Sequence, residues 1–292
     1  MELPFNLKVL LELPTIKSNK NIWPKGWKTR TSLMGVINVT PDSFSDGGDY
    51  LNPEKARLRA IQFLNDGVDV IDIGGQSTKP KADLIGAEEE SRRLLPALLA
   101  IREINKESLI SVDTFHSKVA ELAINSGANW INDVSGGRYD SKMFSIAAEA
   151  VCPYILTHSR GDSNTMDDMT SYENLIIDVK EELLRSTDKA VNSGVLTENI
   201  IWDPGLGFAK NTEQNITLIK NIDNFTSERF PILIGPSRKR FIGSILNESN
   251  PKLRIWGTAA IACLCVKANV SMIRVHDVEA IAKTIKMAEN IF

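Results

Sequence analysis

The chain has 292 residues, of which 42% are hydrophobic and 24% charged; this is globular composition and excludes wholesale disorder. Its 34 basic residues against 37 acidic ones leave a net charge of −3, which excludes bulk binding to a nucleic-acid backbone. Three cysteines (Cys152, Cys263, Cys265) are too few for a disulfide framework and point to a reducing compartment, read here as the cytoplasm.

At about 150 residues per domain the length suggests two domains, although α/β barrels of about 250 residues are single. The longest apolar stretch, 258–266, falls short of the roughly 18–20 residues that a spanning helix needs, and no membrane partner is expected. The start, MELPFNLKVLLELP, has no basic region followed by an apolar core, so it reads as no secretory signal. Residues 1–31 carry Pro4, Pro14 and Pro24 and read as a short extension packed on the body.

From Ser32 onward one pattern repeats: an apolar run, a polar end, a turn, then a helical stretch. The runs are LMGVIN (33–38), VDVIDIGG (68–75), LISVDT (109–114), WINDVSGG (130–137), PYILTHSRG (153–161), IIWDPGLG (200–207), PILIGPS (231–237) and SMIRVHD (271–277). The stretches 53–66, 87–106, 116–126, 141–150, 171–193, 211–221, 251–269 and 278–291 have room for helices. Asn38 and Arg274, in the first and last runs, stand 236 residues apart. Over seven intervals that is about 34 residues each, the size of one βα unit. Continuous apolar strands alternating with helices imply a parallel sheet covered on both faces. Eight units imply closure as a (β/α)8 TIM barrel, a single domain over 32–292. An open doubly wound sheet would carry a glycine-rich phosphate loop after its first strand, and no G-x-G-x-x-G stands there.

In such barrels the C-terminal strand ends form the active-site mouth. Here they carry Asn38, Asp72, Thr78, Asp113, Asn132, Asp203, Ser237, Lys239, Arg274 and His276. Asp and Asn taken singly are more often helix caps and turn formers. A ring this dense divides by chemistry instead. Asp113, Asn132 and Asp203 suit the N–H donors of a polar heterocycle. Lys239, Arg274 and His276, read as cations from strands seven and eight, suit an anion such as phosphate. The histidines lack the H-x-H or H-E-x-x-H spacing of a zinc site. Two long polar loops, 38–50 with a single Phe44 and 76–86 with two lysines, read as lids.

These residues closely resemble the dihydropteroate synthase family. The likeness rests on MGVINVTPDSFSDGG (34–48), DIGGQSTKP (72–80), SVDTFHSKVA (111–120), INDVSGG (131–137), THSRG (157–161), DPGLGFAK (203–210), GPSRKRFIG (235–243) and RVHDV (274–278), and covers roughly residues 32–290. It implies the same barrel and a transferase that joins 6-hydroxymethyl-7,8-dihydropterin diphosphate to 4-aminobenzoate. On the matching positions it implies that Asn38 holds Mg2+, and that Thr78, Asp113, Asn132, Asp203 and Lys239 contact the pterin. Arg274 and His276 anchor the diphosphate. Pro41, Ser43, Phe44, Phe208, Ser237 and Lys239 surround the aminobenzoate. It also implies a homodimer and sulfonamide inhibition. Gln76, Lys79 and Lys81 depart from the family pattern, which usually has glutamate, arginine and glycine there. The alternative is a methyltetrahydrofolate-type module that presents a folate to a corrinoid partner. It would share Asp113, Asn132 and Asp203 but have no use for a diphosphate anchor.

Overall fold

A computed structural model describes residues 22–40, 53–77 and 82–292. Among them, eight parallel strands occur: β1 (Ser32–Asn38), β2 (Val70–Gly74), β3 (Leu109–Asp113), β4 (Trp130–Asp133), β5 (Tyr154–Thr157), β6 (Ile200–Asp203), β7 (Leu233–Ile234) and β8 (Met272–Val275). Their order is β6-β5-β4-β3-β2-β1-β8-β7, and a parallel bridge between Trp202 and Ile232 joins the two ends. The sheet therefore closes into the eight-stranded barrel that the run spacing predicts.

Helices cover the outside: α1 (Pro53–Asn65), α2 (Ala87–Ile104), α3 (Ser117–Asn125), α4 (Met143–Ala150), α5 (Leu175–Asn192), α6 (Thr212–Lys220), the single-turn α7 (Asp223–Thr226), α8 (Arg240–Leu246), α9 (Ile255–Lys267) and α10 (Val278–Glu289). The helical stretches read from the sequence hold all of these but α7 and α8. Those have four and seven residues, too few for a 3.6-residue period to register. No helix among the described residues is long and apolar enough to cross a membrane.

Side chains alternate across a strand, and here the two faces do different work. The outward set, such as Ile71, Ile73, Ile131, Leu156, Trp202 and Ile273, joins the layer between sheet and helices. Gly35 faces outward too, where a Cβ would press within 2.9 Å of Phe63 and Val278, so α1 and α10 can lie close on β1. The inward set begins with an apolar floor of Met34, Val70, Trp130, Ile155, Ile201, Leu233 and Met272.

Residues just before β1 stop that floor from below. Trp23 stacks on Trp27 at 5.0 Å, and both meet Trp130 edge-on at 5.3 and 5.8 Å. The Trp130 Nε1–H donates to the Ile22 carbonyl at 2.7 Å, so the buried indole keeps its hydrogen bond. The segment is tied by Arg30 to Asp69, which also accepts the Leu33 N–H at 2.8 Å. The N-terminal end of the barrel is thus sealed, and only the C-terminal end is free to carry chemistry.

Candidate active site

The same alternation sets the polar groups. Two residues above the floor, the inward positions are Asp72 on β2, Ser111 on β3, Asn132 on β4, Asp203 on β6 and Arg274 on β8. Asp113 lies one step higher on β3, in register with Asn132. All four Asp and Asn side chains are buried; Asp72 is fully so. Such burial demands partners, and Arg274 supplies them. Its Nε donates to Asp72 Oδ2 at 2.6 Å and its Nη2 to Asp113 Oδ2. Asn132 Nδ2 donates to the same Asp72 oxygen at 3.2 Å.

Burial pushes the Asp113 carboxyl up, to about 7; Arg274 opposes the shift, while Asp72 and Asp133 add to it. Asp203 is raised by burial as well, against the hydrogen bond from the Gly205 N–H and the charge of Lys239. Lys239 is drawn down by burial to about 8, with Asp203 and Asp113 among the charges that act on it, both holding it up. The mouth therefore holds carboxyls that are hard to ionise and an ammonium that is easy to neutralise. Such groups respond strongly to an incoming charged ligand.

Strands β7 and β8 place the cationic side. The chain turns after β7 with Arg238 in the left-handed region, at φ 61°. Arg238 grips Asp277 at 2.6 and 3.1 Å, tying the two strand ends together. Arg254 donates to the carbonyls of Arg238, Glu248 and Ser249 and so ties the same turn to the turn after α8. Ser237 is held against His276, whose backbone N–H and Nδ1 lie 3.1 and 3.0 Å from its Oγ. His276 Nε2 lies 3.4 Å from the Asn38 amide. Grouping His276 with the cations is corrected here. Burial, and then Arg238, Arg274, Lys239 and Arg59, hold its pKa well below the usual range, so the ring is neutral. In this structure Arg274 is also already engaged by two carboxylates, where an anion anchor was expected.

Phe208 reaches the site from the turn after β6. Its ring centroid is 4.2 Å from Lys239 Nζ, a cation–π distance. Gly207 permits the approach, since a Cβ there would come within 2.9 Å of the lysine chain. Asn38, Asp113, Asn132, Asp203, Phe208, Ser237, Lys239, Arg274 and His276 thus stand at the same end of the barrel. Thr78, Pro41, Ser43 and Phe44 lie outside the described residues, as do Lys79 and Lys81.

Some residues gain a role only in the structure. Asp72 had no substrate assignment, yet it carries both Arg274 and Asn132. Gln76 donates to the carbonyls of Ser77 and Asp83 and accepts from the Ile85 N–H. A glutamate would lose the two donations, which accounts for an amide at this position. Glu90 of α2 is buried beneath Gly75 and accepts from Thr114 Oγ1 at 3.0 Å; burial holds it up at about 8.

A family model described as pterin binding enzyme matches residues 34–276, from β1 to the strand-eight histidine. The chain belongs to the pterin-binding enzyme family. A dihydropteroate synthase from Synechocystis sp. is 43% identical over 263 residues, 90% of this chain and 91% of that protein. Among solved structures, a dihydropteroate synthase from Clostridium difficile in the presence of pteroic acid aligns with a TM-score of 0.86 at 36% identity, covering 92% of this chain and 99% of that one. Another, from Xanthomonas albilineans in complex with 7,8-dihydropteroate, aligns with a TM-score of 0.82 at 30% identity over 90% and 94% of the two chains.

The charge cluster of this pterin-binding barrel has a measurable cost if opened. Arg274→Met removes one partner of buried carboxylates, a change worth about 3–5 kcal/mol of stability. The native Asp113 carboxyl titrates at about 7, above its unfolded value of about 4. A raised carboxyl binds its proton more tightly when folded, so stability rises as pH falls through that window. Without Arg274 the carboxyls rise further. Urea unfolding is therefore expected to show the largest deficit of Arg274→Met above pH 7 and a smaller one at pH 5. A deficit independent of pH counts against charge loss as its cause.

Proposed function

We propose that the chain condenses 6-hydroxymethyl-7,8-dihydropterin diphosphate with 4-aminobenzoate, releasing diphosphate and 7,8-dihydropteroate. The observation that carries this reading is a single mouth in which Asp113, Asn132 and Asp203 stand with Lys239, Arg274 and His276. An edge of acceptors for a heterocycle and donors for an anion are the two halves of that substrate. The named relatives support the same reaction.

In this reading Asp203 and Asn132 take the N–H donors of the pterin's pyrimidine edge, where a carboxylate gains charge-assisted hydrogen bonds. The resemblance adds Thr78 to that side. The C–O bond to the diphosphate breaks and its electron pair leaves with the diphosphate. Lys239 and Arg274 meet the charge that grows there, and His276 contributes a hydrogen bond from a neutral ring. The methylene left behind is cationic, and Asp113, favoured as a carboxylate by Arg274 against its burial, faces it with negative charge. The aniline nitrogen of 4-aminobenzoate attacks that carbon and sheds one proton to solvent. It needs no strong base, so no nucleophile–histidine–aspartate triad is required. Phe208, Ser237 and Lys239 form part of the aminobenzoate side, and the resemblance adds Pro41, Ser43 and Phe44.

No group of three His, Cys, Asp or Glu side chains able to hold a metal occurs among the described residues. Asn38 ends β1 at the mouth, its amide beside His276, and offers one hard, neutral oxygen. One such oxygen fits Mg2+, which keeps waters and phosphate oxygens and takes only one or two protein contacts. Asn38 is the residue proposed to hold it. When bound, the ion supplies positive charge to the departing diphosphate.

A homodimer is proposed on a second observation. Ile245, Leu246, Leu253 and Trp256 cluster on α8, the turn after it and α9, and Trp256 is 78% exposed. Exposed apolar side chains of this kind support an interface, which is assigned to a second copy of the chain. The free cysteines fit a reducing, cytoplasmic setting.

Diphosphate release from the pterin diphosphate is expected to depend on 4-aminobenzoate; release of none in its presence removes the reading and favours the folate-presenting alternative. Asp113→Asn is expected to lower kcat at least about 100-fold while changing pterin affinity much less, because the lost interaction belongs to the transition state. A change in KM alone contradicts that role. Calorimetry of diphosphate binding to the pterin-loaded enzyme is expected to be tighter with Mg2+ than with EDTA, and Asn38→Ala to erase the difference; equal affinities leave Asn38 without a metal. Light scattering is expected to give a dimer for the wild type and a monomer for Trp256→Glu. A wild-type monomer, or a dimer in both, removes the α8–α9 face as the interface.

A further inference from the structure

The turn after β6 follows an unusual backbone path. Gly205 and Gly207 have φ of 73° and 78°, and Ala209, which carries a side chain, has φ 49°. A Cβ at Gly205 would strike the His158 carbonyl, so the turn lies directly on the end of β5. Left-handed geometry at a non-glycine residue persists only where its surroundings hold it. Here Asp203 and Asn215 accept the Gly205 and Gly207 N–H groups, and one buried ammonium binds the turn's carbonyls.

Lys210 Nζ sits 3.1 Å from the Gly205 carbonyl, 3.1 Å from the Phe208 carbonyl and 2.9 Å from His158 Nδ1. An ammonium has three N–H donors and no acceptor. Both carbonyls accept, so His158 Nδ1 must present its lone pair and the ring proton must sit on Nε2. Nε2 lies 3.0 Å from Glu182 Oε2, an acceptor placed for that proton. Glu182 is gripped in turn by Arg160 at 2.5 and 3.1 Å. Arg160 lies over the Tyr172 ring at 3.9 Å, and the Tyr172 hydroxyl donates to the Ala209 carbonyl at 3.0 Å. The contacts form a closed circuit that starts and ends on the turn. Burial lowers His158 to about 4, so its ring is neutral at neutral pH. Burial draws Lys210 to about 7, with Asp203 opposing the shift.

We propose that Lys210, oriented through His158 and Glu182, is a positioning residue that sets the 204–210 turn and thereby holds Phe208 against Lys239 for the aminobenzoate step. This rests on the synthase reading for its kinetic consequence but not for its structural one. Lys210 itself faces the turn, not the mouth. Asp203 sits on β6 and keeps its place without it.

Lys210→Met retains the chain length and removes the three donors. Its KM for 4-aminobenzoate is expected to rise about tenfold, the scale of one lost charge-assisted bond. Its kcat and its affinity for the pterin diphosphate are expected to stay within about twofold. Glu182→Ala, on the partly exposed α5, frees the His158 proton and is expected to raise the same KM severalfold. In nitrogen NMR the His158 ring is expected to be protonated on Nε2 in the wild type and mixed in Glu182→Ala. The double variant is expected to be no worse than Lys210→Met alone, since both act through one bond. Amide exchange over 204–210 is expected to quicken in Lys210→Met even if the wild type shows no synthase turnover. That outcome would sink the synthase reading and leave the positioning role standing. Unchanged exchange in a folded Lys210→Met, a Nδ1-protonated His158 in the wild type, or strictly additive effects overturn the proposal.

Discussion

One guanidinium holds the mouth of this barrel together. Arg274 reaches from β8 past β1 to bridge Asp72 and Asp113, and Asp72 also anchors Asn132. Burying carboxylates inside a barrel is costly, and a single cation with two well-placed donors offsets much of that cost. The arrangement fixes the rotamers of four polar side chains before any ligand arrives. Burial, against the pull of Arg274 on Asp113, leaves Asp113 raised to about 7 and Lys239 lowered to about 8, so an approaching anion or cation can shift either. A preorganised but electrically adjustable site of this kind suits a reaction in which charge separates and recombines.

The floor below it explains how that site is tolerated. Seven apolar side chains fill the axis, and the Trp23–Trp27–Trp130 cluster closes the lower end. Stability is drawn from that half and from the layer between sheet and helices. The upper half then carries buried polar groups without being required to supply the core. Fold and function are separated along the axis by two residues of strand.

The turns above the strands are positioned by cations that touch no proposed substrate. Arg254 ties the turn bearing Ser237 and Lys239, through the Arg238 carbonyl, to the turn after α8, through those of Glu248 and Ser249. Lys210 binds carbonyls of the turn bearing Phe208, and there His158 and Glu182 set its direction. Gln76 performs the neutral version beside β2. In each case a side chain satisfies backbone carbonyls that a tight turn leaves unpaired.

Much of this was legible in the residues alone. Eight apolar runs at a spacing of about 34 residues dictate a closed parallel barrel, because each strand must be buried on both faces and each helix must cover one. The period of two along a strand places Asp113, Asn132, Asp203 and Arg274 at one mouth, since parallel register aligns their ends. The single-turn α7 and the seven-residue α8 were not legible, because so few residues carry no period. Nor was the lowered pKa of His276, which depends first on its burial and then on four cations brought near it by separate segments. Asp72 as the shared acceptor, Glu90 as a buried carboxyl and the Lys210–His158–Glu182 relay were equally hidden. Each depends on distances between residues 24 to 202 positions apart, and only barrel closure sets those distances.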